Sequence, residues 1–142
     1  MSDLTTYVLG FAFSEDGTQV LLLQKARPAW ARSKWNGIGG HVEVGETFLQ
    51  AMVREFEEEA GLIWPASCWE AVGELGDGTH FRVLVYAATG DISLAKSMTD
   101  EPVRKFPLGE VAQLELMPDV AEILTGLQKK GWGIWEIHGR MD

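Results

Sequence analysis

Residues 40–62 read GHVEVGETFLQAMVREFEEEAGL and carry the local signals of a helix start and a helix end. Thr47 can cap the first turn, with Gln50 as its capping-box partner. Gly61 can end the last turn because glycine readily adopts the left-handed conformation found there. The stretch therefore predicts one helix over residues 48–60.

Three glutamates fall on one side of this predicted helix. At about 100° per residue, Glu59 lies roughly 40° from Glu55, and Glu58 lies roughly 60° to the other side. Carboxylates packed this closely repel one another, and hard divalent cations relieve the repulsion by accepting several oxygen ligands. Mg²⁺ typically takes one or two carboxylates together with substrate phosphates, so the spacing favours a magnesium polyphosphate site.

The full spacing of residues 40–62 is Gly-x5-Glu-x7-Arg-Glu-hydrophobic-x-Glu-Glu-x-Gly-hydrophobic, and it resembles the signature of the Nudix hydrolases. One mild departure is Phe56, where that family usually has an aliphatic residue. The resemblance implies hydrolysis of a nucleoside diphosphate linked to another moiety, with Mg²⁺ as cofactor and Mn²⁺ as its substitute. It also implies an α/β/α sandwich with a mixed β-sheet, in the α/β (α+β) class.

The resemblance also implies roles for the residues of the motif. The implied metal ligands are Gly40, through its carbonyl, and Glu55, Glu58 and Glu59. Glu46 and Arg54 would orient the loop and the helix. The competing interpretation is a solvated acidic helix face, but such a face requires neither Gly40 nor Arg54.

Hydrolysis also needs a base that takes a proton from the attacking water. Glu58 or Glu59 is expected to supply it, because crowded carboxylates can have a raised pKa when no metal is bound. Glu101 lies where family members often provide a further acid from a distant loop, as metal ligand or as base. An ordinary surface glutamate is an equally open interpretation of Glu101.

Four of the twelve basic residues lie within ten positions just before the motif, namely Lys25, Arg27, Arg32 and Lys34. A cationic loop beside an acidic cluster suits a small polyanion that arrives with Mg²⁺. We expect Lys25 to bind substrate. Arg27 and Lys34 could equally well solvate the loop.

Residues 34–43, KWNGIGGHVE, resemble the Nudix members that hydrolyse oxidised purine nucleoside triphosphates. The resemblance implies that Asn36 contacts the purine, that Trp30 lines its pocket and that Gly39 lies in the substrate-binding loop. An aromatic face can stack on any base, and a side-chain amide offers a donor and an acceptor to the base edge. Trp35 is expected to be an ordinary core aromatic.

Residues 115–120 resemble a second base-reading segment of the same relatives, in which Asp119 matches an aspartate that reads the purine. Met117 and Val120 replace a tryptophan and a second aspartate of that segment, so selectivity for oxidised purines stays open. Asp119 could instead favour a helix start through the helix dipole.

The reaction implied for a triphosphate yields a nucleoside monophosphate and pyrophosphate. Two alternatives stay open: hydrolysis of another nucleoside diphosphate derivative, such as ADP-ribose, a dinucleoside polyphosphate or a nucleotide sugar, and a non-catalytic module that senses a nucleotide. A purely structural domain is a third class, and it would require no metal.

Composition limits the partners and the compartment. The 142 residues fit a single domain over 1–142, with 46% hydrophobic and 23% charged residues. The formal charge of −9 argues against long nucleic acids and anionic membranes, which leaves a small-molecule nucleotide as the expected partner. One cysteine and no signal-peptide pattern indicate a cytoplasmic location. The oligomeric state cannot be predicted.

Elsewhere, residues 6–13 and 18–25 predict an opening hairpin around the turn at Asp16-Gly17. A loop over 26–37 and a glycine-rich turn are expected to follow. The remaining predicted elements are strands near 69–75, 80–88, 103–107 and 132–138, and a helix over about 118–130.

Overall fold

A computed structural model describes residues 4–132, which contain seven β-strands and two α-helices. The strands are β1 (Thr5–Ser14), β2 (Gln19–Gln24), β3 (Trp35–Asn36), β4 (Ile38–His41), β5 (Glu70–Gly76), β6 (Phe81–Gly90) and β7 (Val103–Pro107). The helices are α1 (Phe48–Ala60) and α2 (Val120–Lys129). Short 3₁₀ turns occur at Ala29–Ala31, Ala66–Cys68 and Leu108–Gln113.

All seven strands belong to one mixed sheet with the order β3-β2-β1-β6-β5, in which β4 also pairs with β1 and β7 also pairs with β2. The longest pairing is parallel and joins β1 to β6 from Thr5 opposite Phe81 to Ser14 opposite Gly90. The other strand pairs are antiparallel.

The predicted opening hairpin is present, with Phe13 of β1 opposite Val20 of β2 near the turn. Toward the open end of the hairpin, β3 pairs with β2 and β4 pairs with β1. The prediction of a loop over 26–37 followed by a glycine-rich turn was therefore wrong for residues 35–41. Backbone pairing with the two hairpin strands makes this glycine-rich stretch extended, although glycine has little preference for strands.

The two helices cover opposite faces of the sheet. Met52 and Phe56 of α1 belong to one buried cluster with Val8 of β1. Leu124 of α2 belongs to a second buried cluster with Phe11 of β1. Side chains alternate between the two faces of a strand, so Val8 and Phe11, three positions apart in β1, point to opposite faces of the sheet. The two clusters are therefore the two cores of an α/β/α sandwich, as predicted.

The predicted helix over 48–60 is confirmed, including both of its ends. Gln50 N–H donates to Thr47 Oγ1 at 3.1 Å and Thr47 N–H donates to Gln50 Oε1 at 2.8 Å, which completes the capping box. Gly61 ends the helix with φ 72°.

The predicted strands near 69–75, 80–88 and 103–107 are confirmed as β5, β6 and β7. The helix predicted over 118–130 is shorter at its start, because Asp119 has a φ of 76° and α2 begins at Val120. The strand predicted over 132–138 lies outside the described residues, except for Trp132. No helix within residues 4–132 is long and apolar enough to cross a membrane.

Candidate active site

Two carboxylates of α1 face the glycine pair of β4. The N–H of Gly39 donates to Glu59 Oε1 at 3.2 Å. At Gly40 a β-carbon would overlap the carboxylate of Glu55, so a larger residue there would displace this carboxylate from the strand. The structure therefore brings Gly39, Gly40, Glu55 and Glu59 together, and their part in metal binding stays a prediction.

Burial and negative neighbours make this pair of carboxylates hard to ionise. Burial raises the pKa of Glu59 to about 8, and the negative charges of Glu55 and Glu101 act in the same direction. The N–H of Gly39 and the charge of Lys25 partly oppose that rise. Burial also raises the pKa of Glu55, against the opposing contact with Arg54. A positive charge next to Glu55 and Glu59 would favour the ionised forms of both carboxylates.

Arg54 holds the motif together through its guanidinium group. It donates to both oxygens of Glu46, from Nε at 2.6 Å and from Nη2 at 3.0 Å. Its Nη1 donates to Glu55 at 3.0 Å and to Glu58 at 3.2 Å, and its Nη2 donates to the carbonyl of His41 at 2.9 Å. The hydrogen bonds from Arg54 lower the pKa of Glu46. The roles of Glu46 and Arg54 in function stay a prediction.

Glu58 lies apart from the pair formed by Glu55 and Glu59: 55% of its side chain is exposed, and its carboxylate contacts Arg54. Within residues 4–132, no three His, Cys, Asp or Glu side chains stand close enough together to hold a metal ion. The donors nevertheless fit a hard cation, because they are carboxylate oxygens crowded beside a glycine backbone. For Glu58 to join them, its exposed side chain must leave Arg54, and its role as ligand or base stays a prediction.

Glu101 lies near Glu59 and is 8% exposed, so the surface interpretation of this residue was wrong. Its Oε2 accepts the N–H of Ala26 at 2.8 Å. Lys25 Nζ lies 3.7 Å and Arg27 Nη1 lies 3.8 Å from the same oxygen. Lys25 thus lies beside the carboxylates, whereas the part of Glu101 in catalysis stays a prediction.

Two other basic residues of the loop, Arg27 and Lys34, have structural partners. Arg27 forms an exposed ion pair with Asp100. Lys34 Nζ lies 3.2 Å from Glu115, which links the loop to the segment before α2. For Arg27 and Lys34, these contacts favour the structural interpretation over direct substrate binding.

The residues predicted to bind the base lie on connected segments. Trp30 is 62% exposed in its 3₁₀ turn, whereas Trp35 is in the core as expected. The N–H of Met117 donates to the carbonyl of Trp35 at 2.8 Å, which joins the strand of Asn36 to the segment that leads to Asp119.

The side chains of Asn36 and Asp119, which are predicted to contact the base, make few hydrogen bonds within the described residues. Asn36 uses its Oδ1 to accept the N–H of Gly37 at 2.9 Å. The carboxylate of Asp119 is exposed and, within the described residues, makes no capping hydrogen bond to α2. Their contact with a purine stays a prediction.

Tyr7 adjoins the site although no sequence pattern indicated it, and the centroid of its ring lies 4.4 Å from that of His41. The two residues are opposite one another in the β1–β4 ladder, next to Gly40. No local pattern could have paired them, because the ladder joins positions that are far apart in the chain.

Comparison with known proteins gives a consistent picture. The model of the NUDIX domain matches residues 4–127. The chain is 35% identical over 86 residues to the human 8-oxo-dGDP phosphatase NUDT18, covering 61% of this chain and 26% of that protein. It is 52% identical over 44 residues to the oxidized purine nucleoside triphosphate hydrolase of Danio rerio, covering 31% of this chain and 28% of that protein. The chain thus spans 28% or less of the length of either relative.

Among solved structures, the NUDIX domain of Shewanella oneidensis NrtR in complex with ADP ribose is similar with a TM-score of 0.77. The two chains are 18% identical, and the match covers 92% of this chain and 90% of the other. At this identity the likeness concerns the fold alone.

Proposed function

Because the chain belongs to the Nudix family, we propose that it hydrolyses a purine nucleoside triphosphate to a nucleoside monophosphate and pyrophosphate. The proposed substrate is an oxidised purine nucleoside triphosphate of the 8-oxo-dGTP type. The observation that carries the proposal is the approach of Glu55 and Glu59 to the glycine pair of β4, with Lys25 beside them.

The residues proposed to hold Mg²⁺, or Mn²⁺ in its place, are Gly40, Glu55, Glu58 and Glu59. When bound, such a cation neutralises phosphate charge and favours the ionised carboxylates. Lys25 is proposed to contact a phosphate oxygen, because its ammonium group lies next to the carboxylates and is only partly exposed. Glu58 or Glu59 takes the proton of the attacking water.

The base is proposed to stack on Trp30, while Asn36 and Asp119 read its edge and Gly39 lies close to the nucleotide. The exposed ring of Trp30 and the exposed side chain of Asp119 support this arrangement. The 52% identity over 44 residues to the oxidized purine nucleoside triphosphate hydrolase of Danio rerio supports the choice of an oxidised purine triphosphate as substrate. Val120 lacks the polar group of a second base-reading aspartate, so discrimination between oxidised and normal purines is proposed to be modest.

The comparisons favour one alternative among the nucleotides. The human relative is an 8-oxo-dGDP phosphatase, so a nucleoside diphosphate with the same base is the second candidate substrate. ADP-ribose, dinucleoside polyphosphates and nucleotide sugars remain candidates of the wider family. A non-catalytic nucleotide sensor would bind without turnover.

A substrate panel with product analysis tests the proposal. The panel contains dGTP, 8-oxo-dGTP, 8-oxo-dGDP, ADP-ribose, a dinucleoside polyphosphate and a nucleotide sugar, each with Mg²⁺ and with a chelator. We expect the highest kcat/KM for an oxidised purine triphosphate, with monophosphate and pyrophosphate as products. Faster release of inorganic phosphate from 8-oxo-dGDP would identify this diphosphate as the substrate in place of the triphosphate. Turnover that is absent, or that does not depend on the metal, would refute the proposed reaction.

A further inference from the structure

Glu101 joins two loops that meet at the end of α1. One is the segment 96–101, and the other is the substrate loop, defined here as residues 25–34. We propose that Glu101 is a positioning residue, whose buried carboxylate fixes the substrate loop over the carboxylates of α1, instead of acting as the base or as a metal ligand. The inference rests on the proposed function, because it assigns Lys25 and Trp30 of that loop to substrate binding.

The contacts of Glu101 to the substrate loop converge on one oxygen. Oε2 accepts the N–H of Ala26 at 2.8 Å and lies 3.7 Å from Lys25 Nζ and 3.8 Å from Arg27 Nη1. A buried carboxylate that accepts a backbone N–H makes a charge-assisted hydrogen bond, and its loss removes the partner of a partly buried donor. This oxygen therefore has three donors of the substrate loop around it.

The segment that carries Glu101 is in turn attached to the end of α1. Met98 N–H donates to the carbonyl of Glu59 at 3.3 Å, and Lys96 N–H donates to the carbonyl of Ala60 at 3.0 Å. Glu101 N–H donates to Thr99 Oγ1 at 3.0 Å. Hydrogen bonds and a short piece of chain thus connect the last turn of α1 to Glu101 and then to Ala26.

A neighbouring ion pair spans the same two loops but differs in its surroundings. Arg27 and Asp100 are paired while their side chains are 62% and 66% exposed. Exposed pairs contribute little because water and salt screen them, so the buried carboxylate of Glu101 is the stronger of these two side-chain attachments. Asp100 therefore offers a matched control at the adjacent position.

Two substitutions separate positioning from chemistry. Glu101→Gln retains a side-chain oxygen that can accept the N–H of Ala26, but it can be neither a base nor a charged ligand. We expect Glu101→Gln to keep kcat within about threefold of wild type. Glu101→Ala should raise KM by about tenfold or more with a smaller change in kcat, because the substrate loop loses its attachment. Asp100→Asn should change both constants less than about twofold.

Amide hydrogen exchange of Ala26, measured without metal or nucleotide, provides a readout that does not depend on turnover. Protection should be similar in wild type, Glu101→Gln and Asp100→Asn, and should fall about tenfold or more in Glu101→Ala. A kcat as low in Glu101→Gln as in Glu101→Ala, or unchanged protection of Ala26 in Glu101→Ala, would overturn the proposal. If wild type turns over no nucleotide, the proposed function fails, while the exchange result still decides whether Glu101 attaches the loop.

Discussion

Arg54 and Glu46 form a forked ion pair in which both carboxylate oxygens accept from the guanidinium, at 2.6 Å and 3.0 Å. Only 23% of the Arg54 side chain and 15% of the Glu46 side chain are exposed. The same guanidinium reaches Glu55 and the carbonyl of His41. One side chain therefore fixes the loop before α1, a carboxylate on α1 and the end of β4 relative to one another.

Replacing Arg54 by lysine should lower kcat by about tenfold or more while leaving KM close to its original value. An ammonium group cannot reproduce the bidentate contact, so the carboxylates of α1 lose their fixed positions. Steady-state kinetics on the best substrate of the panel measures the effect, with the exposed Arg104→Lys as control. A raised KM with an unchanged kcat would indicate instead that Arg54 contacts the phosphates.

The metal-free protein should lose stability as the pH rises from about 5 to 8. The pKa of Glu59 increases from its ordinary 4.5 to about 8 on folding, so the folded state holds a proton that the unfolded chain has already released. The stability that this proton contributes is fully present below the pKa of Glu59 in the unfolded chain. It is lost as the pH rises through the pKa of Glu59 in the folded state. Glu55 acts with the same sign.

Thermal unfolding in a chelator, followed across this pH window, checks that sign. We expect Tm to fall by at least about 3 °C in wild type and to fall less in Glu59→Gln. Adding Mg²⁺ should reduce the loss, because a cation favours the ionised carboxylates. A Tm that rises over this window, or an equal slope in Glu59→Gln, would show that Glu59 does not retain its proton.

Alanine at Gly40 should impair metal binding more than folding. The added β-carbon would meet the carboxylate of Glu55, which is the end of a flexible side chain and can move away. We expect Gly40→Ala to weaken Mn²⁺ binding by about tenfold or more, as measured by calorimetry, with a far smaller change in Tm. Gly109→Ala is the matched control, since a β-carbon there has no heavy atom within 4 Å among the described residues. Equal Mn²⁺ affinity in Gly40→Ala and wild type would exclude Glu55 as a ligand beside Gly40.

Asp119→Asn should change the ratio of kcat/KM between 8-oxo-dGTP and dGTP. Asparagine also adopts the left-handed conformation that Asp119 has, so the backbone should persist while the charge is lost. If the carboxylate reads the oxidised edge, the ratio should change by about threefold or more. Glu122→Gln, in the first turn of α2, controls for the lost charge. Identical ratios in Asp119→Asn and wild type would remove Asp119 from base recognition.

Local signals were enough to predict α1 and the spacing of its carboxylates. Thr47, Gln50 and Gly61 act within a few residues of the backbone groups that they cap, so their pattern is visible in the sequence. Pairing between distant segments is not visible in the sequence. Glu101 and Ala26 are 75 positions apart, and the short strand β4 exists because the N-terminal half of β1 pairs with it.

The start of α2 shows a different limit. Pro118 and Asp119 are common at the start of a helix, which favoured an earlier beginning. The N–H of Met117 donates to the carbonyl of Trp35, the N–H of Trp35 donates to the carbonyl of Glu115, and Asp119 turns with a positive φ before the helix begins. The tertiary contact therefore sets the boundary, and the sequence preference does not.

Pyrophosphate release from 8-oxo-dGTP, measured in wild type and Glu58→Gln with Mg²⁺ and with a chelator, is the most direct test of catalysis by the carboxylates of α1. Gln keeps the size and helix propensity of Glu but removes the charge, so circular dichroism and Tm should change little. We predict Mg²⁺-dependent release by wild type and a loss of about a hundredfold or more in Glu58→Gln. Near-normal Mg²⁺-dependent release by the folded variant, or equal release by wild type in the chelator, would contradict catalysis by the carboxylates of α1.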